Sequence, residues 1–333
     1  VLGPEVSAFE NEFAKYCDLK YCTGVGNGTE ALFLALVALG IGPGDEVITT
    51  PMTAAYTAFA IIYAGATPVF VDVHSDTYEI DETKIESAIT KRTKAIIPVH
   101  LFGQPCNIQA ITQIAKRHQL KVIEDCCQAH GAQVGKRRVG TFGDVACYSF
   151  YPTKNLGGIG DGGAILTNNR SLADKIRLLH NGHQTTKYYH TAVGYNTRLD
   201  ELQAAILRVK LAHLDQLIAQ RQAVAALYDE LLDDRVVVKP TVTKTVRHVF
   251  HLYVIRSQHR DALQKQLAQA GVMTQVHYPW PLHQLPAFKF LKKKYNLPAS
   301  EQMSREVLSL PIYPGLTKPS IKKITALINS SSL

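Results

Sequence analysis

Six cysteines, Cys17, Cys22, Cys106, Cys126, Cys127 and Cys147, form no C-x-x-C pair and no zinc-type spacing. The chain therefore gives no sign of a structural metal or a disulfide framework, and no metal is expected. Such thiols read as small buried apolar residues in a reducing compartment, so a cytoplasmic location is expected. Long hydrophobic runs are missing too. The longest, around Ala31–Ile41, is too short to span a bilayer and contains Gly40, a helix stop. No membrane partner and no signal peptide are indicated. There is also no long basic run. The 36 Lys and Arg against 28 Asp and Glu give a net charge of +8, and the densest stretch, Lys292-Lys293-Lys294, reads as a solvated face. Without a readout motif this balance excludes nucleic acid as the expected partner, and it suits an anionic small ligand such as a nucleotide diphosphate. Neither the dinucleotide nor the P-loop glycine pattern occurs, and there are no repeats or low-complexity tracts.

What is present is alternation. Val47–Thr50, Thr67–Val73, Ala95–His100, Lys121–Asp125, Val145–Phe150 and Gly163–Thr167 read as strands. Ala31–Leu39, Ala54–Tyr63, Glu82–Ile89 and Ile108–His118 read as the helices between them. The pattern predicts an α/β fold: a mostly parallel, doubly wound sheet between helices, with ligands bound beyond the carboxyl ends of the strands. No proline occurs between Pro152 and Pro240, and Asp200–Leu232 carries apolar residues at helical spacing, predicting one or two long helices. Val236–Val242, Phe250–Ile255, Arg260–Ala270 and Gly271–Val276 then read as an α+β segment. Two domains are expected, residues 1–214 and 215–333.

Lys154 follows the strand-like run Val145–Phe150 and precedes the glycine-rich stretch Gly157–Gly163. Asp125 closes the run Lys121–Asp125. Alone, a loop lysine is a solvated charge and a strand-end aspartate is a turn or helix cap. Together they are what pyridoxal 5'-phosphate (PLP) needs: an amine for the Schiff base and a carboxylate that keeps the pyridine nitrogen protonated. A phosphate site is at hand. Gly26-Asn27-Gly28-Thr29 opens an apolar helix whose free N–H groups and dipole favour an anion, with the Thr29 hydroxyl as donor or cap. Ser149 offers a second hydroxyl, or is an ordinary strand serine. Gln128, three residues beyond Asp125, would reach the ring's 3-hydroxyl region, and His130 reads as a core histidine.

These residues carry a resemblance. Glu124-Asp125-Cys126-Cys127-Gln128-Ala129-His130-Gly131, Gly140-Thr141-Phe142-Gly143-Asp144, Ser149–Gly158, Gly26–Leu32 and Gly194–Asp200 resemble, in order and spacing, the DegT-type nucleotide-sugar aminotransferases. The similarity is specific to about Leu214 and continues more weakly through His277-Tyr278-Pro279 and Leu310-Pro311. It implies the aspartate-aminotransferase fold, with a large PLP-binding domain and a smaller C-terminal α+β domain. The family usually has a segment ahead of Leu2-Gly3-Pro4-Glu5, so a missing N-terminal piece is expected. The resemblance implies Lys154 as the catalytic lysine and Asp125 as the partner of the pyridine nitrogen. It implies an aromatic cover for the ring near Pro51, for which Tyr56 is the candidate; a core tyrosine on its helix is the alternative. Asn196 resembles an asparagine that reaches the phosphate of a partner subunit, which implies a homodimer with shared active sites. The His183–His190 segment resembles the loop that enters the neighbouring pocket. His183, Tyr189, Tyr278 and His283 are candidate substrate contacts, each with a structural role as the alternative.

The implied reaction moves an amino group from L-glutamate to a ketosugar on a nucleoside diphosphate. Asn155–Gly163 is similar to the subgroup that aminates C3 of dTDP-linked 3-keto-6-deoxyhexoses. C4 amination, ketocyclitol amination and a non-enzymatic regulator on the same fold are the alternatives. The lysine itself separates the chain from the related dehydratases, which carry histidine there.

Overall fold

The structure is a computed structural model that describes residues 1–291 and 294–331. Of the basic run read as a solvated face, Lys292 and Lys293 lie outside the described residues, and Lys294 is exposed. Seven strands form the central sheet: β1 (Tyr21–Val25), β2 (Glu46–Thr49), β3 (Thr67–Phe70), β4 (Thr93–Ile96), β5 (Lys121–Asp125), β6 (Val145–Ser149) and β7 (Gly163–Thr167). Their order is β1-β7-β6-β5-β4-β2-β3. The pairs from β3 to β6 are parallel, and β7 runs antiparallel to both β6 and β1. The expected parallel sheet is thus present, with one reversed strand and an additional strand, β1. That strand is five residues long and includes Thr23 and Gly24, so it carries little β pattern.

Helices cover both faces. Alternation along β6 shows why: Ala146, Tyr148 and Phe150 enter one apolar cluster, and Val145 and Cys147 the other. The first cluster is closed by α1 (Pro4–Tyr16), through Phe9 and Phe13, and by α6 (Glu201–Leu211), through Leu207 and Leu211. The second takes Ala31, Leu32 and Ala35 of α2 (Gly28–Ala38) and Ile61 of α3 (Ala55–Tyr63). Helices α4 (Ile108–Arg117) and α5 (Arg170–Leu179) complete the layers. Glu82–Ile89, expected as one helix, is a 3₁₀ turn followed by the single helical turn Ile85–Ala88.

The long helical stretch divides in two. Helix α6 stops at Ala212, and α7 (Leu214–Leu231) starts after His213. The first turns of α7 bury Leu214 and Ile218 in the sheet's cluster, while Val224, Ala225 and Tyr228 enter a C-terminal cluster. That cluster also gathers β8 (Tyr253–Arg256), α8 (Arg260–Gln269), β9 (Val307–Leu310) and α10 (Lys318–Asn329), α9 (Pro298–Glu306) being an earlier helix of the same region. Val236–Val242 does not form a strand; one isolated bridge joins Val238 to Arg256, and Pro240, which has no N–H to give a ladder, follows two residues later.

Candidate active site

Strands β5 and β6 are parallel neighbours, with Asp125 opposite Cys147. Asp125 and, just past Ser149, the Lys154 turn therefore leave the sheet from adjacent carboxyl ends. The turn is held by Lys154 N–H donating to Tyr151 O at 2.9 Å and Gly158 N–H to Phe150 O at 2.8 Å. The buried carboxylate of Asp125 accepts from the Thr57 hydroxyl at 2.9 Å and from Cys127 N–H at 3.1 Å. Burial lowers the Lys154 amine below its ordinary value, an effect opposed by Cys127 and Asp125.

The phosphate-type cradle stands beside them. Asn27 caps α2, its side chain accepting from Glu30 N–H at 2.9 Å. The N–H groups of Gly28 and Thr29, ahead of the first intrahelical bond, donate to no described residue. Gly28 is required by close approach, because a Cβ there would lie 2.8 Å from Ser149 Cβ and 2.9 Å from Cys127 Sγ. Gly163 plays the same part on β7, where a Cβ would meet the Asn27 carbonyl at 2.5 Å. Helix start, Ser149 and Cys127 thus share one floor. Ser149 Oγ accepts from Tyr151 N–H at 3.3 Å.

Gln128 bridges two loops. Its Oε1 accepts from Phe102 N–H at 2.8 Å, and its Nε2 donates to the Tyr278 hydroxyl at 3.2 Å. Burial pushes that hydroxyl up to about 12, and the charges of Asp125 and Cys127 add to the effect. Tyr278 therefore belongs to the same neighbourhood as Asp125. His130 is buried against Phe13, Tyr148 and Phe150, with ring centroids 6.4, 5.3 and 5.9 Å away; burial and Lys154 hold its pKa near 3.

Tyr56 lies near the start of α3, next to Thr57. It is 63% exposed and meets the Phe59 ring edge-on, so it is not a core tyrosine. Helical phase is the reason. Neighbours on a helix are about 100° apart, and the next residue, Thr57, is the one that bonds Asp125; Thr53, ahead of the helix, meets the Thr57 hydroxyl at 3.4 Å. Thr57 is not among the residues read from the sequence; its signal is a hydroxyl inside the otherwise largely apolar run Ala54–Tyr63. His283 is paired with Glu301 at 3.1 Å and sits against Tyr295, 5.9 Å between centroids. His183 bonds Thr191 at 2.8 Å, at the base of an exposed arm whose strands are Gln184–Thr186 and Tyr189–His190. Tyr189 is 64% exposed at its tip. Asn196 is exposed beside this arm, and the next residue, Thr197, accepts from Gly26 N–H at 3.0 Å and donates to Glu30.

A lysine amine whose pKa is lowered by burial, a fixed carboxylate and a backbone cradle for an anion fit PLP. The fold and these groups define a PLP-dependent enzyme of the aspartate-aminotransferase type. Comparison with known proteins carries this further. Residues 1–329 match the DegT/DnrJ/EryC1/StrS aminotransferase family, and the chain belongs to that family. It is a PLP-dependent aminotransferase. It is 50% identical over 320 residues to a "pleiotropic regulatory protein" of Geobacillus stearothermophilus, covering 95% of this chain and 86% of that one. It is 47% identical over 329 residues to the dTDP-3-amino-3,6-dideoxy-alpha-D-galactopyranose transaminase of Aneurinibacillus thermoaerophilus, covering 99% and 90%. Among solved structures, that of Streptomyces venezuelae DesV in complex with a ketimine intermediate superposes with a TM-score of 0.96 at 44% identity, covering 99% of this chain and 89% of that one.

Proposed function

We propose that the enzyme transfers an amino group from L-glutamate to C3 of a dTDP-linked 3-keto-6-deoxyhexose. The carrying observation is the Lys154 turn beside Asp125 and the Gly28 cradle, together with 47% identity to a dTDP-3-amino-sugar transaminase over 99% of the chain. PLP, when bound, draws electrons from the carbon that bears the nitrogen. Asp125, fixed by Thr57 and Cys127 N–H, would pair with the ring nitrogen. Gly28 and Thr29 N–H groups and the Ser149 hydroxyl would hold the phosphate, and Gln128, bonded to Tyr278, would contact the ring's 3-hydroxyl region. Lys154 Nζ would hold the cofactor and, once free, would move the proton at the sugar carbon, a task favoured by burial, which lowers the amine's pKa.

We read the enzyme as a cytoplasmic homodimer. The six described cysteines are free, which suits a reducing compartment. No helix among the described residues is long and apolar enough to cross a membrane. Asn196 would reach the phosphate of the partner subunit, and the arm with His183 and Tyr189 would border that subunit's sugar site; the exposure of Tyr188, Tyr189 and Val193 supports this. Tyr278 is the sugar contact from the same subunit, and we assign His283 to packing with Glu301. The two-domain division at residue 214 is kept, with α7 running from one apolar cluster to the other.

The test is product analysis by NMR with PLP, glutamate and paired 3-keto and 4-keto deoxyhexoses on dTDP. Amine at C3 alone is the expected result. Amine at C4 alone would overturn the position while keeping the class. No sugar product, with glutamate still converting the cofactor to its amine form, would move the acceptor to a ketocyclitol or another nucleotide. No conversion at all would favour a regulator, the role named for the Geobacillus stearothermophilus relative.

A further inference from the structure

We propose that Asn155 is a positioning residue for Lys154, acting through the segment His248–Leu252, which straps the lysine turn to the loop that holds Gln128. The proposal rests on Lys154 being the cofactor lysine. Asn155 is only 8% exposed, and its Nδ2 donates to Val249 O at 2.9 Å, a contact between residues 94 apart in sequence. Its Oδ1 is buried with no partner among the described residues. An amide so placed is a poor filler, because an apolar side chain would occupy the space without an unmet acceptor. The bond to Val249 is what the amide supplies.

The strap is fixed along its whole length. Val249 N–H donates to Gly103 O at 3.0 Å, and Leu252 N–H to Phe102 O at 3.2 Å. Gln222 Nε2 donates to His248 O at 2.8 Å. Arg221, on α7, donates to Phe250 O and His251 O at 3.2 Å each and to Ile312 O at 3.0 Å. Arg221 is buried, and among the described residues no carboxylate pairs with it; three carbonyls of the strap and its neighbour hold the charge. The strap also has no slack against the loop. Gly103 has φ +99°, and a Cβ there would lie 2.9 Å from His251 N. Phe102, in that same loop, is the residue whose N–H holds Gln128.

A continuous run therefore joins Lys154's neighbour to Gln128: Asn155 to Val249, Val249 to Gly103, Phe102 to Gln128, Gln128 to Tyr278. The amine of Lys154 must reach both the cofactor and the sugar carbon, and errors near 1 Å in such geometry cost on the order of 100-fold in rate. Releasing Val249 frees one side of the lysine turn. The other side, the Lys154 N–H bond to Tyr151 O, stays.

The experiment uses PLP-loaded wild type, Asn155→Ala, Asn155→Asp and Lys154→Ala. Asn155→Asp keeps the volume and removes the donor, so it decides the matter if the alanine variant does not fold. Cofactor absorbance is followed against pH, cofactor loss is followed on dilution, and kcat and KM are measured for the sugar. The expected result is an absorbance titration displaced by about half a pH unit or more in both Asn155 variants. It is accompanied by faster cofactor loss and a kcat lower by about 10- to 100-fold with KM within about twofold. Wild-type titration and kcat in Asn155→Asp, with or without a lower melting temperature, would overturn the proposal and leave Asn155 a packing residue. A wild-type titration in Lys154→Ala would overturn the reading of Lys154 and the proposal with it.

Discussion

The residues with chemistry sit where chain direction alone puts them. Asp125, Ser149 and Lys154 were legible because each lies at or just past the carboxyl end of a recognisable strand, and Gly28 because it opens an apolar helix. Thr57 was not legible. Its role depends on the rotational phase of α3 against β5, which depends on packing that the sequence does not state; the same phase turns Tyr56 outward. Thr57 supplies one of the two bonds that fix the Asp125 carboxylate. Hydrogen bonds to charged groups contribute about 1.5–3 kcal/mol. Thr57→Val, nearly isosteric, is therefore expected to weaken PLP binding by roughly 10- to 100-fold. Equilibrium titration of the apoenzyme with PLP measures this, and an unchanged dissociation constant would remove Thr57 from the site.

At the scale of elements, the inner strands were read to within a few residues because buried strands between two helical layers are continuous apolar runs. Lys121–Asp125 and Gly163–Thr167 coincide with β5 and β7. Among the elements not foreseen, α1 and β1 take their structure from distant partners. Strand β1 pairs with β7, more than 130 residues on. Helix α1 is capped from afar: Glu201 accepts from Gly3 N–H at 2.8 Å and Val6 N–H at 3.0 Å. This helix has a direct tie to the site. Phe9 and Phe13 pack edge-on against Phe150 at 5.2 and 5.3 Å, immediately before the lysine turn. Phe13 is fully buried, so Phe13→Ala is expected to cost about 3–5 kcal/mol. Urea unfolding at neutral pH measures it; a loss below 1 kcal/mol would show that α1 is not part of the bed under Phe150.

For the whole molecule, buried titratable groups set the response to acid. Burial lowers the pKa of His130 and His248 to about 3 and of His180 to about 4. His251 and His277 are lowered in the same way. Each folded-state value lies below the unfolded 6.5, so the unfolded chain takes up the proton first as pH falls. Stability is therefore complete above 6.5 and declines below it, by about 1.4 kcal/mol per pH unit for each histidine that stays neutral in the fold. The buried carboxyl of Glu79 and the more exposed one of Asp229, both pushed up by desolvation, act in the opposite sense. Five groups against two fix the sign. The urea midpoint is expected to be lower at pH 5 than at pH 7; an equal or higher midpoint at pH 5 would contradict the buried, neutral state of these histidines.

The central claim is that Lys154 holds PLP and gives it up to an amino donor. The direct measurement is borohydride reduction of the PLP-loaded enzyme, followed by digestion and mass spectrometry, with and without prior incubation with L-glutamate. The account predicts a pyridoxyl adduct on the peptide that contains Lys154, and its disappearance after glutamate. An adduct on another lysine, no adduct, or an adduct that glutamate leaves untouched would contradict it.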